Sequence, residues 1–355
     1  MKALRIGDLC IPVPVIQGGM GVGISLSGLA AAVANEGGIG VISSAGLGLL
    51  YKNPSENYLE ASIRGLREEI RKARELTRGI IGINVMVAMS NFADMIKTAI
   101  ASKVDIIIAG AGLPLDLPSY LEKGSSTKLF PIVSSSRAAR IICEKWKSNY
   151  DYLPDAVIVE GPKAGGHLGF KEEQISDKNY SLEKLVPEIK NELRTFEELY
   201  NKSIPLFAAG GIYTGGDIKE IMKLGASGVQ MGTRFVTTHE CDASQAFKQA
   251  YIEADEKQIE IIRSPVGMPG RAILSNFIRK VKEGKKQPKS CPFKCIKTCD
   301  ISKSPYCIII ALVNAVKGNF EGGFAFAGSN AFRATTISSV KEIFQSLLKE
   351  YKESR

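Results

Sequence analysis

The alternation of short apolar runs with amphipathic stretches constrains the fold of this chain more than any other feature. Over roughly the first 250 residues, eight apolar runs of four to six residues are separated by segments with helical periodicity. Short apolar runs predict buried strands, and strands that alternate with helices are typical of a parallel sheet. The predicted strands are residues 13–17, 40–43, 80–85, 104–109, 129–134, 156–160, 205–209 and 228–231.

The segments between these strands predict the helices. Ser25, Asn91, Ser136 and Thr214 are the expected helix starters, because their side chains can accept hydrogen bonds from unpaired amides. The predicted helices are residues 26–36, 57–76, 92–102, 137–147, 182–200 and 216–224, with a shorter one at 117–123. Eight such units predict an α/β protein with a (β/α)8 TIM barrel. An open, doubly wound sheet is the alternative, because periodicity does not show whether a sheet closes.

The end of the alternation predicts the domain organisation. We expect residues 1–252 to form the barrel. Residues 253–333 are rich in lysine, glycine and cysteine, and they should form an insertion or lid over the carboxyl ends of the strands. Residues 334–355 contain a last amphipathic stretch, which should form a closing helix packed on the barrel.

Charge and hydropathy argue against several classes of protein. The chain has a formal net charge of +9, but its 46 lysines and arginines are dispersed among 37 acidic residues rather than clustered as in nucleic-acid-binding proteins. No apolar stretch approaches the roughly 20 residues that span a bilayer, and the amino terminus lacks a signal-peptide pattern. We therefore expect a cytoplasmic protein that binds neither nucleic acid nor membrane and takes a small-molecule substrate.

Four of the predicted strands lead directly into glycine-rich loops. In a parallel barrel the loops after the strands hold the ligand, and glycine allows the backbone to approach it closely. The loops after the seventh and eighth strands carry Gly210, Gly211, Gly232 and Thr233, at the place where barrels commonly bind a phosphate. The sequence therefore predicts a phosphate-bearing ligand, with ordinary tight turns as the alternative.

Two polar residues belong to the same predicted edge of the barrel. His167 lies in a glycine loop after the sixth strand, where it could exchange protons near neutral pH, and the alternative is a solvated turn residue. Asn84, near the end of the third strand, offers a donor and an acceptor that suit the edge of a heterocyclic ring, or is a strand-end turn residue. The other histidine, His239, is expected at the surface.

Together these residues resemble the FMN-dependent nitronate monooxygenases, formerly called 2-nitropropane dioxygenases, and the similar enoyl-acyl-carrier-protein reductase II enzymes. The resemblance runs from Pro12 to about Phe332. Its motifs are Gln17-Gly18-Gly19-Met20, Gly82-Ile83-Asn84, Glu160 with Ala164-Gly165-Gly166-His167, Ala208-Ala209-Gly210-Gly211-Ile212, Gln230-Met231-Gly232-Thr233-Arg234-Phe235 and Ser264-Pro265-Val266-Gly267-Met268-Pro269-Gly270-Arg271.

The resemblance implies a (β/α)8 barrel with FMN lying across the ends of its strands. Gly18, Gly19 and Met20 would line the flavin, while Asn84 and Glu160 would contact polar atoms of its ring or ribityl chain. The other implied cofactor-binding residues are Gly165 and Gly166 close to the cofactor, Gln230 and Met231 on the last strand, and Gly210, Gly211, Gly232 and Thr233 at the phosphate.

The resemblance also implies a function. The first expectation is an FMN-dependent nitronate monooxygenase that oxidises alkyl nitronates with dioxygen, with His167 as the catalytic residue that transfers a proton or holds the anionic substrate. The monooxygenases often carry glutamine at the position of Glu160, and a glutamate there matches the reductases. The alternative is therefore an NAD(P)H-dependent enoyl-thioester reductase with acyl carrier protein as a partner. A non-catalytic flavin- or phosphate-binding regulatory protein is a third hypothesis, and a homodimer is compatible with each.

Four of the seven cysteines fall within seventeen residues and need their own explanation. If their segment is helical, Cys291, Cys295 and Cys299 share one face, and Cys307 returns to them after a turn. The four thiolates could then hold an iron–sulfur cluster or a zinc ion, with the cluster favoured by analogy to other flavin enzymes. Small buried thiols without a metal are the alternative.

Overall fold

A computed structural model describes residues 1–354, and a closed barrel of eight parallel strands forms its centre. The strands are β1 Leu4–Ile6, β2 Leu9–Ile11, β3 Val15–Gln17, β4 Ile39–Ser43, β5 Ile80–Met86, β6 Ile106–Gly110, β7 Lys128–Val133, β8 Val157–Glu160, β9 Gly166–His167, β10 Leu206–Ala209, β11 Gly228–Met231, β12 Ile259–Arg263 and β13 Pro269–Ile273. The barrel runs in the order β3-β4-β5-β6-β7-β8-β10-β11, and β11 pairs with β3. The predicted TIM barrel is confirmed and the open sheet is excluded.

The helices follow the predicted pattern, since each of the six longer predicted helices is present within three residues of its expected bounds. The short helix expected at 117–123 is wrong, because only a 3-10 turn forms at Leu117–Tyr120 before the chain turns at Gly124. The helices are α1 Ser27–Asn35, α2 Leu47–Leu50, α3 Tyr58–Leu76, α4 Phe92–Ala101, α5 Ser136–Tyr150, α6 Leu182–Tyr200, α7 Gly215–Lys223, α8 Thr233–Val236, α9 Gln245–Glu253, α10 Asn276–Lys282, α11 Ile308–Val316 and α12 Val340–Glu353.

The predicted helix starters agree less well with the structure. Thr214 caps α7, but α5 is capped by Ser135 rather than by Ser136. Ser25 and Asn91 make no capping hydrogen bond. The hydroxyl of Ser25 is instead turned to the loop after β3, where it bonds the backbone and so shapes the pocket side of the barrel.

The interior of the barrel is filled with apolar side chains towards the amino ends of its strands. Ile6 and Ile11 of the β1-β2 hairpin belong to the same buried cluster as Phe130 of β7 and Phe207 of β10. The rings of Phe130 and Phe207 stack with their centroids 6.0 Å apart. Polar groups and glycines therefore collect at the opposite, carboxyl end, as is general for this fold.

The chain after residue 252 builds a small layer against the carboxyl end of the barrel. Strands β12 and β13 pair antiparallel, and β13 also pairs with β9, where Gly270 lies opposite His167. Behind this sheet, Tyr306 contacts Phe277 and Phe324 edge to face, with ring centroids 5.6 and 5.5 Å apart. The predicted histidine loop is therefore held by backbone hydrogen bonds from about a hundred residues further along the chain.

The segment between α10 and α11 has no helix or strand among its residues 283–307. The condition under which Cys291, Cys295 and Cys299 would share one helical face is therefore not met. Pro292 follows the first cysteine, and Lys294 has a positive φ of 45°, neither of which a helix interior accommodates. None of the helices in residues 1–354 combines the length and apolarity that crossing a bilayer requires.

Candidate active site

A pocket at the carboxyl ends of the barrel strands brings together the predicted site. His167 and all thirteen residues that the sequence assigns to the cofactor line this pocket. They are Gly18, Gly19 and Met20 after β3, Asn84 on β5, Glu160 at the end of β8, Gly165 and Gly166 in the following loop, Gly210 and Gly211 after β10, and Gln230, Met231, Gly232 and Thr233 on and after β11. Residues far apart in the chain meet here because parallel strands end at the same edge.

Glycines leave room in the wall of the pocket where a side chain would collide. A Cβ atom on Gly19 would lie 2.3 Å from the Cβ of Asn84, and one on Gly165 would lie 2.5 Å from the backbone of Ala327. Both distances are well below van der Waals contact, so a larger residue at either position would displace its neighbour. Gly19 therefore leaves room for Asn84, and Gly165 allows the backbone of residues 327–328 to pass close to the histidine loop.

Gln230 offers the pocket an unpaired polar group. Its side-chain Oε1 is buried and has no hydrogen-bond partner among residues 1–354. A buried acceptor without a donor costs about 1–3 kcal/mol, so a ligand N–H in the pocket would relieve that cost. The amide of Asn84 lines the same pocket and adds a donor and an acceptor. The arrangement fits the polar edge of a heterocyclic ring.

The loops after β10 and β11 are closed over by a segment that the sequence did not assign to the site, residues 327–330. The amide of Gly328 donates to the hydroxyl of Thr233 at 3.0 Å. The side-chain amide of Asn330 donates to the carbonyl of Gly211 at 2.6 Å. These contacts fix the two glycine loops from outside, while the hydroxyl proton of Thr233 remains available to a ligand oxygen.

His167 is a neutral base in this setting. Its Nε2 atom lies 2.7 Å from the Oγ atom of Ser264, and its ring packs edge on against Phe326 with centroids 4.9 Å apart. Burial lowers the pKa of His167 to about 4. The imidazole is therefore uncharged at neutral pH, so it can accept a proton, whereas holding an anion by its charge would need a more acidic solution.

The pKa of Glu160, at the end of β8, is shifted in the opposite direction. Burial raises the pKa of its carboxyl group to about 7, because the charged form loses hydration in the pocket wall. A substantial share of Glu160 is therefore protonated at neutral pH, and the group can donate as well as accept a hydrogen bond. Two titratable groups whose pKa values are moved apart by their surroundings are typical of a catalytic site.

Arg271 holds the histidine loop in its shape. Its buried guanidinium donates from Nη1 to the carbonyl oxygens of Pro162 and Ala164, at 2.6 and 2.7 Å. Hydrogen bonds from a charged donor to buried carbonyl groups are among the stronger ones in proteins. Arg271 thus connects β13 to the loop that carries the catalytic candidate.

Several residues that line the pocket, or that contact His167 and its loop, escaped the sequence analysis. Ser264 and Arg271 lie within a motif that carried the resemblance, but the sequence gave them no role. Phe326 and Tyr251 line the pocket and are joined, because the Tyr251 hydroxyl donates to the Phe326 carbonyl. The exposed Lys163 is a further lining residue, beside Gly211. No local signal marks these side chains, since contacts from distant segments bring them to the pocket.

The four clustered cysteines lie outside the pocket. Cys291, Cys295, Cys299 and Cys307 are all free and partly buried. Among the residues that the structure describes, no group of three or more His, Cys, Asp or Glu side chains is arranged to hold a metal ion. None of the four thiols lines the pocket that contains His167.

The barrel, the glycine loops and the histidine agree with a match over nearly the whole chain. The family model described as nitronate monooxygenase matches residues 3–101 and 90–350. The chain belongs to the nitronate monooxygenase family. Membership of the nitronate monooxygenase family places it among the oxidoreductases.

Proteins that are similar to this chain carry different functional names. The probable nitronate monooxygenase of Staphylococcus saprophyticus is 29% identical over 310 residues, which cover 78% of this chain and 80% of that protein. The (3aS,4S,5R,7aS)-5-hydroxy-7a-methyl-1-oxo-octahydro-1H-indene-4-carboxyl-CoA dehydrogenase of Mycobacterium tuberculosis is 25% identical over 271 residues. That match covers 76% of this chain but only 66% of the mycobacterial protein.

Among solved structures, FabK from Thermotoga maritima is similar to this member of the nitronate monooxygenase family along almost its whole length. The TM-score is 0.73 with 29% sequence identity, and the match covers 97% of this chain and 94% of FabK. The similarity therefore includes the layer after residue 252 as well as the barrel.

Proposed function

We propose that this chain is an FMN-dependent oxidoreductase that oxidises alkyl nitronates with dioxygen. The observation that carries this proposal is the half-buried, neutral His167 in a pocket lined by all the residues expected to bind FMN. The match to the nitronate monooxygenase family and the similarity to the staphylococcal relative support it.

The pocket residues fit FMN. The unpaired Oε1 of Gln230 would accept from a ring N–H, and Asn84 would pair with another polar atom of the ring. Gly210, Gly211 and Thr233 would hold the phosphate, with backbone amides and a hydroxyl as donors. Bound FMN would supply the electron-transfer chemistry, including the reaction with dioxygen, that no side chain provides.

His167 would accept the proton that the substrate loses. When the substrate arrives as the neutral nitroalkane, His167 would form the nitronate by taking a proton from the carbon next to the nitro group. Because its Nε2 contacts Ser264, Nδ1 is the ring nitrogen that would take this proton. Ser264 fixes the ring, and Arg271 fixes the loop that carries it. Phe326 packs against the imidazole and limits the access of water from that side.

A second candidate function is the NAD(P)H-dependent reduction of an enoyl thioester. Glu160 favours it, since a glutamate at this position matches the reductase pattern rather than that of the monooxygenases. The similarity to FabK over 97% of the chain supports it as well, and the mycobacterial relative is named for a CoA thioester. Acyl carrier protein would be the partner in this reading.

An anaerobic absorption experiment separates the two functions. The flavin-loaded protein should be yellow, and its flavin absorption should bleach when an alkyl nitronate is added without oxygen. A flavin that stays oxidised with nitronate but is reduced rapidly by NADH or NADPH would replace the monooxygenase with the reductase. A preparation that binds flavin but responds to neither would support a binding protein without turnover.

We also propose an arrangement of the whole chain around this site. Residues 1–252 form the FMN-binding barrel, residues 253–333 cover its carboxyl end as a lid, and residues 334–355 close the barrel from outside. The contacts of β13 with β9 and of α12 with α7 support this division. A cytoplasmic location and a homodimer are further expectations, which cell fractionation and light scattering would check.

A further inference from the structure

Two arginine side chains lie against one tyrosine ring at the edge of the pocket. Tyr213 follows the glycine loop after β10, lines the pocket and is 3% exposed. The guanidinium carbon of Arg234 lies 4.6 Å from the centre of the Tyr213 ring, and that of Arg333 lies 4.7 Å from it. Both distances are typical of cation–π contacts. One aromatic side chain thus holds two positive charges beside the glycine loops.

The two arginines belong to segments that shape the expected phosphate end of the pocket. Arg234 directly follows Thr233 on α8. Arg333 ends the short turn after residues 327–330, which close over the glycine loops. Tyr213 and Thr233 line the pocket, whereas the two arginines contact Tyr213 without lining it. The positive charge therefore lies one side chain away from the pocket.

The charge of these arginines is not used elsewhere in the protein. Among residues 1–354, neither guanidinium forms an ion pair with a carboxylate or donates a hydrogen bond. The Nε atom of Arg234 is buried without an acceptor. A guanidinium has five N–H donors, and burying a donor unpaired is unfavourable. Arg271, by contrast, donates to two buried carbonyl groups. The charge beside Tyr213 is therefore available to an anionic ligand.

The helix after Tyr213 does not offer its amino terminus to such a ligand. The amides of residues 213–215, at the start of α7, donate to the carboxylates of Asp217 and Glu350 at 2.9, 2.8 and 2.7 Å. In many barrels a helix amino terminus in this region binds the phosphate, but here carboxylates of the chain itself occupy these amides. Side chains must therefore supply the positive charge at this end of the pocket.

We propose that Arg234 and Arg333, held on the ring of Tyr213, form an anion site that makes the pocket select a flavin with a phosphate group over one without. The ligand class is a phosphate monoester, which carries close to two negative charges at neutral pH. The glycine loops and Thr233 contact the phosphate, and the two arginines stabilise its charge. The inference rests on the proposed function in taking this monoester to be FMN.

Titration of the flavin-free, full-length protein with FMN and with riboflavin tests this selection, because the two flavins differ only in the phosphate. Flavin fluorescence measures both affinities. Arg234→Met and Arg333→Met should each weaken FMN binding by about tenfold or more, since a unit positive charge near a dianion is lost. Riboflavin affinity should change by less than about twofold, because an uncharged ligand does not gain from that charge. Arg234→Lys and Arg333→Lys keep the charge and should retain most of the FMN affinity.

Arg194→Met on α6 is the matched control. It removes one positive charge at an exposed position that does not line the pocket, so both affinities should stay as in the wild type. Arg333 is exposed as well, whereas Arg234 is half-buried. Arg333→Met therefore keeps the test decisive if Arg234→Met does not fold, which circular dichroism would show.

Equal losses of FMN and riboflavin affinity in the arginine variants would overturn the proposal, because the arginines would then only support the loops. Unchanged FMN affinity would overturn it too.

Inorganic phosphate probes the anion site without any flavin. The phosphorus NMR line of phosphate should broaden with flavin-free wild-type protein and stay sharp with the double variant Arg234→Met/Arg333→Met. Equal broadening with both proteins would contradict an anion site at these arginines. Broadening with the wild type alone, in a protein that binds no flavin, would support the anion site and contradict the FMN proposal, so the two failures are distinguishable.

Discussion

The mouth of the barrel and the cysteine segment lie on adjoining parts of one molecule but are held in place in different ways. At the mouth, each site residue follows directly from a strand in a closed ring, so its position in the sequence sets its position in space. In residues 283–307 no such strand exists, and the chain is held by distant contacts such as the pairing of Met89 with Ile296. The first region could therefore be predicted from periodicity, and the second could not.

The largest effect is expected at His167. It lies on a loop at the barrel mouth, and its backbone pairs with β13 in the layer after residue 252. His167→Ala should lower turnover of a neutral nitroalkane by about 10²–10⁴-fold, because the group that would remove the substrate proton is lost. Flavin binding should change little, so kinetics and a flavin titration should be measured side by side. His239→Ala is the matched control, since His239 is exposed and far from the pocket. Unchanged turnover in His167→Ala would assign the proton transfer to another group.

The next effect concerns Arg271 of β13, which links the layer after residue 252 to the histidine loop at the barrel mouth. Arg271→Met should destabilise the protein by about 3 kcal/mol, because two buried carbonyl groups lose a charged donor. The midpoint of urea unfolding measures this change. Arg279→Met, an exposed substitution on α10, should leave the midpoint nearly unchanged. If both variants had the same midpoint, the histidine loop would be held in place without Arg271.

Gly19 tests the barrel mouth by itself. Gly19→Ala places a methyl group 2.3 Å from Asn84, so Asn84 or the loop must move. Overpacking of this kind costs about 1–3 kcal/mol, which corresponds to roughly a ten- to hundredfold loss of flavin affinity. Fluorescence titration with FMN would measure it. Gly216→Ala is the control, because its nearest neighbour is the mobile hydroxyl of Ser354 at 3.3 Å. Equal affinities would show that the loop tolerates a side chain.

The smallest effect is a change in how stability depends on pH. The pKa of Glu160 rises from 4.5 to about 7 on folding, so this group makes the flavin-free protein less stable as pH rises through that window. The pKa of His167 falls from 6.5 to about 4, so its contribution increases with pH between those values. In the wild type, the two groups therefore change the free energy of unfolding in opposite directions as pH rises.

In Glu160→Gln, only His167 of these two residues still titrates. Its contribution to the pH dependence of stability therefore remains, and that of Glu160 is removed. The melting temperature of flavin-free Glu160→Gln, relative to wild type, should therefore rise as pH is raised from about 4.5 to about 7. Thermal melts at several pH values would show this. A difference that stays flat with pH would mean that Glu160 titrates normally in the folded protein.

The fold could be predicted from the sequence because each barrel strand and helix shows a pattern of apolar residues within its own few residues. Apolar runs such as β5 and β6 are buried on both faces, and amphipathic helices such as α3 and α6 show their buried side by periodicity. Local sequence patterns were a poor guide in short and irregular segments. Residues 117–120 form only a 3-10 turn, and the segment that carries the four cysteines contains no helix. Short elements such as β9 and β13 were missed, because their pairing joins residues about a hundred positions apart.

By itself the sequence determined the eight-strand barrel, the edge at which the pocket lies and the glycine loops with His167 at that edge. Each of these follows from patterns within a few residues, because strand and helix periodicity act over short distances. Only the tertiary structure decided the chemical state of the site. The neutral histidine, the raised pKa of Glu160, and the hydrogen bonds from Ser264 and Arg271 all depend on burial and on contacts between distant segments.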